Sequence, residues 1–203
     1  MIELINNYGI FGFIRLVRDV LYTKIIISNK ARIVRYPFYI RGKKYIKFGN
    51  MITTGVGLRI DAFPENKSNE PCITFGDNVQ INDYVHIAAI SSIRIGNNVL
   101  IASKVFITDH NHGDYGINNN NDSPYIPPIM RPLRANPVII EDNVWIGEHV
   151  SILPGVKVGK GTVIGAQSVV TKDIPPNSIA VGVPARVIKK YNDENGKWYP
   201  IKS

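Results

Sequence analysis

Ile140-Glu-Asp-Asn-Val-Trp, Ile146-Gly-Glu-His-Val-Ser, Ile152-Leu-Pro-Gly-Val-Lys, Val158-Gly-Lys-Gly-Thr-Val, Ile164-Gly-Ala-Gln-Ser-Val and Val170-Thr-Lys-Asp-Ile-Pro follow one another without a gap. The first position is aliphatic in all six. The fifth is Val144, Val150, Val156, Thr162, Ser168 and Ile174, small or β-branched throughout. A period of six is neither the 3.6 of a helix nor the 2 of a lone strand. It fits a coil of short flat faces, one repeat per face, with the aliphatic residue pointing inward. Small residues belong where such a chain turns its corners, because large ones would collide there.

Outward from this stretch the same grammar recurs. Ile95-Gly96, Ile101-Ala102 and Ile107-Thr108, with Val99 and Val105 at the fifth position, form an earlier block. Phe75-Gly76, Ile81-Asn82 and Ile87-Ala88 precede it, offset by two residues near Ser91-Ser92. Two stretches break the pattern: a polar excursion over 61–72, and a longer loop over 109–137. The loop opens Asp109-His110-Asn111-His112-Gly113-Asp114-Tyr115, passes through an asparagine run at 118–121, and returns through a Pro-rich segment to Pro137. Long loops between regular elements are usually functional or disordered, and this one holds two of the four histidines. It reads as a site loop.

Composition agrees with an extended chain. Among 203 residues there are 32 Ile and 19 Val against 7 Leu, and β-branched side chains favour pleated surfaces over helices. An all-helical protein is excluded and an all-β one expected. The length suits one core-bearing domain. The net charge of +8 favours an anionic partner. Basic residues are spread along the chain with no stacking platform beside them, which argues against nucleic acid. Cys72 is alone, so no internal disulfide forms, and it reads as a small apolar filler. Met1-Ile2-Glu3 opens no cleavable leader, and no run of about 18 apolar residues occurs, so a cytoplasmic location is expected.

Residues 6–28 differ from the rest. Ile10, Phe13, Ile14, Val17, Val20 and Leu21 recur at helical spacing, with Arg15, Arg18, Asp19 and Lys24 on other faces. Such a helix either packs on the main domain or rests, as a basic amphipathic element, on a membrane surface. The expected organisation is an N-terminal helix with irregular strands over 1–60, the coil over 61–190 with its loop at 109–137, and a tail over 191–203.

The hexads, the His-bearing loop, Asn143-Val144-Trp145-Ile146-Gly147 and the ending Val170-Thr171-Lys172-Asp173-Ile174-Pro175-Pro176-Asn177 … Gly182-Val183-Pro184-Ala185-Arg186 resemble the hexapeptide-repeat acyltransferases. Within them, the galactoside and maltose O-acetyltransferases and their polysaccharide-modifying relatives are nearest. The resemblance covers about residues 73–190. It implies a left-handed parallel β-helix, a homotrimer, acetyl-CoA as donor and an active site between subunits; a metal is not expected, because third and fourth ligands beside the two loop histidines are not evident.

Transfer of an acetyl group from a thioester to a sugar hydroxyl needs a base near neutral pKa to take the hydroxyl proton, and histidine suits that. The resemblance, laid without gaps from Ile95, puts the catalytic base on His112. His110, two residues earlier and after Asp109, takes the role if the loop is shaped differently. Trp145 matches a tryptophan beside the catalytic histidine. Asn82 matches a position contacting donor and sugar, and its neighbour Asp83 is placed to orient a hydroxyl or the base. The resemblance sets Ala166, Thr171 and Lys172 along the pantetheine arm and Arg186 and Lys189 near the phosphates of coenzyme A. Glu148 stands where these enzymes tend to carry Ser. His86 and His149, on the coil itself, read as structural.

The acceptor implied is a sugar hydroxyl of a surface polysaccharide or its precursor, with Tyr115 and Tyr125 near the groove. The alternatives are N-acetylation of an amino-sugar nucleotide, an antibiotic acceptor, and a non-catalytic β-helix scaffold, which would have no use for the loop histidines.

Overall fold

A computed structural model describes residues 2–65, 70–115 and 122–201. The asparagine run at 118–121 and the middle of the 61–72 excursion lie outside the described residues. From Phe38 to Val181 the chain winds as a coil of three parallel sheets, each turn visiting the faces in the same order. The first face stacks Ile46–Lys47, Ile73–Phe75, Ile93–Ile95, Val138–Ile140 and Lys157–Val158. The second stacks Thr53–Thr54, Gln80–Ile81, Leu100–Ile101, Trp145–Ile146, Val163–Ile164 and Ser178–Val181. The third stacks Phe38–Arg41, Leu58–Ala62, His86–Ala89, Phe106–Thr108, Ser151–Ile152 and Val169–Val170.

The six-residue period is this geometry. On the third face Ile60, Ile87, Ile107, Ile152 and Val170 are in register from turn to turn and all fully buried. On the second, Ile81, Ile101, Ile146, Ile164 and Ala180 do the same. Each buried Ile contributes about 1.5–3 kcal/mol by leaving water. The fifth-position residues Val79, Val99, Val144 and Val150 fill the corners from inside. The residue before each corner valine takes the left-handed conformation: Asn78, Asn98, Asn143 and His149 all have φ of 56° to 58°. Asn adopts that region at little cost, which explains the repeated Asn-Val pairs. Corner residues are therefore not uniformly small; the small or branched one points in, and its predecessor turns the chain.

The coil begins before residue 61. Phe38–Arg41 pairs in parallel with Leu58–Ala62, Ile46–Lys47 with Ile73–Phe75, and Thr53–Thr54 with Gln80–Ile81. The hexad grammar misses this first turn because a short helical turn at Lys43–Tyr45 lengthens the spacing while the pairing survives. At the other end, Arg186–Asn192 and Lys197–Pro200 form an antiparallel hairpin on the second face, with Tyr191 against Trp198. The segment read as a tail is thus part of the sheet. Ahead of the coil, a helix (α1, Ile2–Tyr22) is interrupted at Gly9 and continues as a wider turn over Thr23–Ile27.

Candidate active site

The loop leaves the coil where the third face hands over to the first, and one carboxylate ties it there. Asp109 is fully buried. Its Oδ1 accepts the amide of Ile90 at 3.0 Å, and its Oδ2 accepts those of Ser91 and Ser92 at 2.8 and 2.7 Å. The same Oδ1 lies 2.9 Å from His110 Nδ1. Burial works to raise the Asp109 carboxyl, but the bonds from His110 and the three amides outweigh it and hold it below the usual carboxylate range. His110 is further held by the edge of Phe63, 5.4 Å between ring centres.

From there the loop foot is a ribbon. His110–His112 pairs antiparallel with Leu133–Ala135, setting His112 across from Leu133. His112 is exposed. Its carbonyl accepts the hydroxyl of Tyr115, and that hydroxyl accepts Arg131 Nη1 at 2.6 Å. Tyr115 is thus a staple within the loop as well as an exposed ring, while Tyr125 is almost wholly exposed. Asn111, Asp114, Tyr115 and Arg134 line a 390 Å³ cleft at the foot of the ribbon.

A second group of residues sits around the second face. Asn82 and Asp83, at the corner between the second and third faces, line a 230 Å³ pocket with Thr54, Ser103 and Arg35. Asp83 Oδ1 accepts the Val56 amide at 2.8 Å, so it serves the adjoining turn of the coil. Arg35 was not among the sequence candidates. It occurs in Arg32-Ile33-Val34-Arg35, which reads as an alternating strand but buries both Ile33 and Val34, and nothing in linear order sets it beside Asn82. Ala166 is exposed at the same corner, three turns on, and a Cβ at Gly147 would lie 2.6 Å from its amide nitrogen. Trp145, 51% exposed, stands outward on the second face between Leu100 and Val163 and does not fill the core. Arg186 and Lys189 stand exposed on the hairpin strand that extends this face.

Thr171 and Lys172, by contrast, are exposed at the corner from which the loop departs. The candidates therefore fall into two sets on different corners, separated by the third face. A single chain does not bring His110 and His112 to Asn82, Trp145 and Ala166.

Residues 137–172 match the family described as bacterial transferase hexapeptide (six repeats). Over 198 residues, 98% of either chain, the sequence is 53% identical to a protein of Escherichia coli K12 whose provisional name is lipopolysaccharide biosynthesis O-acetyl transferase WbbJ. The chain belongs to the hexapeptide-repeat acyltransferases. Among solved structures of this family, a galactoside acetyltransferase in complex with coenzyme A superposes with a TM-score of 0.51 at 32% identity, over 75% of this chain and 74% of that one. The fold is also shared with AntD, an N-acyltransferase from Bacillus cereus, at TM-score 0.65 and 23% identity, over 82% of this chain and 83% of that one.

Cys72 and His86, two further reactive side chains of this acyltransferase, are otherwise engaged. Burial pushes the Cys72 thiol up to about 11, with Asp109 adding to it, so no thiolate is available there. His86 Nε2 lies 3.1 Å from Asp61, which also takes Arg59 at 2.7 Å. Burial lowers its pKa against the pull of Asp61. His149 is exposed and spends its backbone on a left-handed corner. Among the described residues no three His, Cys, Asp or Glu side chains converge on a metal-sized site.

Proposed function

We propose that the protein is an acetyl-CoA-dependent O-acetyltransferase that acetylates a sugar hydroxyl of a surface polysaccharide or its precursor. The observation that carries this reading is a pair of histidines on the one long loop leaving the coil, the first locked by a buried carboxylate. Likeness along the whole chain to a lipopolysaccharide O-acetyl transferase supports the acceptor class.

The acceptor oxygen attacks the thioester carbonyl as its proton passes to a histidine nitrogen. The tetrahedral intermediate then collapses, expelling the coenzyme A thiolate, which takes the proton back. His112 is the base in this reading: it is exposed, and it is the residue the family pattern selects. His110, tethered through Nδ1 to Asp109, is a positioning residue that fixes the start of the ribbon. Ala166, Thr171 and Lys172 border the pantetheine arm, Arg186 and Lys189 meet the phosphates, Trp145 flanks the reacting centre, and Asn82 with Arg35 faces the acceptor.

The two corners meet in a homotrimer of left-handed coils, where the loop of one copy reaches the second face of the next. Six-residue coils stacked this way make the site a shared one.

Thiol release from acetyl-CoA with a panel of sugars and glycans tests the reading. Acceptor-stimulated release that His112→Ala abolishes and His110→Ala only weakens is the expected result. The reverse order moves the base to His110. Coenzyme A that fails to bind, with no acceptor stimulating release, removes the transferase reading in favour of a scaffold.

A further inference from the structure

The helix α1 buries one polar residue and leaves most of its apolar stripe exposed. Asp19 and Thr23 are buried against the coil. Thr23 Oγ1 donates to the Asp19 carbonyl at 2.6 Å and accepts the Val34 amide at 2.7 Å. Arg18 pairs with Asp19 at 2.7 Å and lies 5.0 Å from the centre of the Tyr36 ring. The apolar stripe points the other way. Ile10, Ile14, Val17 and Leu21, spaced four, three and four residues apart, are 66, 57, 44 and 55% exposed, and Ile25 is 80% exposed. Ile14, Val17, Leu21, Tyr22, Ile25 and Ile26 line an open groove of about 510 Å³. A helix packed on its own domain buries its stripe; here Asp19 and Thr23 are the buried positions, with Phe13 and Leu16 half-buried beside them, and the stripe through Ile10, Ile14, Val17 and Leu21 stays exposed.

Charge is segregated in the same direction. Residues 1–47 contain ten Lys and Arg against two acidic residues, Glu3 and Asp19, a net +8. Residues 48–203 contain fourteen of each sign and are neutral. The basic residues run the length of the chain, but their acidic counterparts do not. Of the ten, only Arg18 has a carboxylate within 4 Å among the described residues. Lys30, Arg32, Lys43, Lys44 and Lys47 are exposed, and Lys43 reaches the Ile26 carbonyl, so this end of the coil lies against the helix.

We propose that residues 2–27 form an interfacial helix that docks the protein on an anionic lipid surface, with the stripe in the acyl boundary and the surrounding cations on the headgroups. A second copy as occupant would bring one +8 segment onto another, whereas an anionic bilayer complements both the apolar stripe and the charge. No helix among the described residues is long and apolar enough to cross a membrane, so the helix lies in the surface plane. The proposal stands apart from the reaction assigned above and its test does not use it.

The test is co-sedimentation of the full chain with vesicles of phosphatidylcholine alone or with about a third phosphatidylglycerol. The intact protein pellets with the anionic vesicles about tenfold more than with the neutral ones, and raised salt weakens this. Ile14→Asp with Leu21→Asp lowers the anionic binding about tenfold or more, with an unchanged thermal midpoint and circular dichroism spectrum. Lys43→Gln with Lys44→Gln weakens it severalfold and keeps the stripe intact. Binding to neither vesicle, equal binding to both, or undiminished binding of the Ile14→Asp, Leu21→Asp variant overturns the proposal. Dissociation of a larger assembly by that variant, with no vesicle binding by the intact protein, assigns the stripe to a second copy.

Discussion

In the middle turns of the coil an inward residue is supported by an equivalent one turn above and one turn below, whereas the described part of the loop over 109–137 is held at single groups. Ile107 lies in register with Ile87 on one side and Ile152 on the other. Nothing comparable repeats among the described residues of the loop. Its foot depends on the Asp109 carboxylate, the short ribbon to Leu133–Ala135, and the Tyr115–Arg131 contact. The coil spreads its stability over nearest neighbours, as repeat architectures do. The described part of the loop concentrates its order in single groups and leaves side chains such as His112 exposed.

Substitutions that separate activity from stability sharpen this contrast. The largest effect falls on the loop: His112→Ala lowers kcat by about 10²- to 10⁴-fold while the thermal midpoint stays within error. A midpoint that drops with the activity would mean that His112 supports the fold, and the contrast between coil and loop would fail there.

In the coil the order is reversed. Ile107→Ala costs about 2–5 kcal/mol in urea unfolding, while Ile107→Val costs about 0.5–1.5 kcal/mol. A negligible loss for the alanine would show that neighbouring turns collapse into the gap.

Asp109→Asn joins the two regions. It removes the charge that four donors share and costs about 1–3 kcal/mol at neutral pH. Because the folded carboxyl is held below its ordinary range, its contribution is present above the unfolded pKa of about 3.9. It is lost as pH falls through the lower folded value. Wild type and variant should therefore differ at neutral pH and converge in acid. A gap that persists below the carboxylate range would assign the loss to packing instead of charge.

The smallest effect is at a corner. Asn143→Ala costs about 1 kcal/mol because alanine adopts the left-handed region less readily, and Asn143→Gly costs less. Equal costs for the two would point to a lost side-chain contact rather than to backbone conformation.

Much of this was legible in the chain. The aliphatic first and branched fifth positions of 140–175 are the inward residues of the coil, because burial imposes the same constraint on every face. The first turn over 38–60 was not legible, since an inserted helical turn breaks the spacing without breaking the pairing. The role of Asp109 was hidden for a different reason. Its amide partners lie 17 to 19 residues earlier, and only the stacked turns bring them within reach. The cluster of Asp109, His110 and His112 stood out as chemistry, but which histidine is tethered and which is exposed was undecided until the ribbon was in view. Arg35 gave no signal beyond an alternating pattern.

The coil, the point where the loop leaves it and the histidines on that loop can be read in linear order, because repeated burial and rare residue types leave marks there. That the site candidates occupy two corners of the coil, and that α1 leaves its apolar stripe exposed, came from the stacking of the turns. Both depend on which residues the third dimension sets side by side, and an apolar stripe in a helix has the same spacing whether it faces in or out.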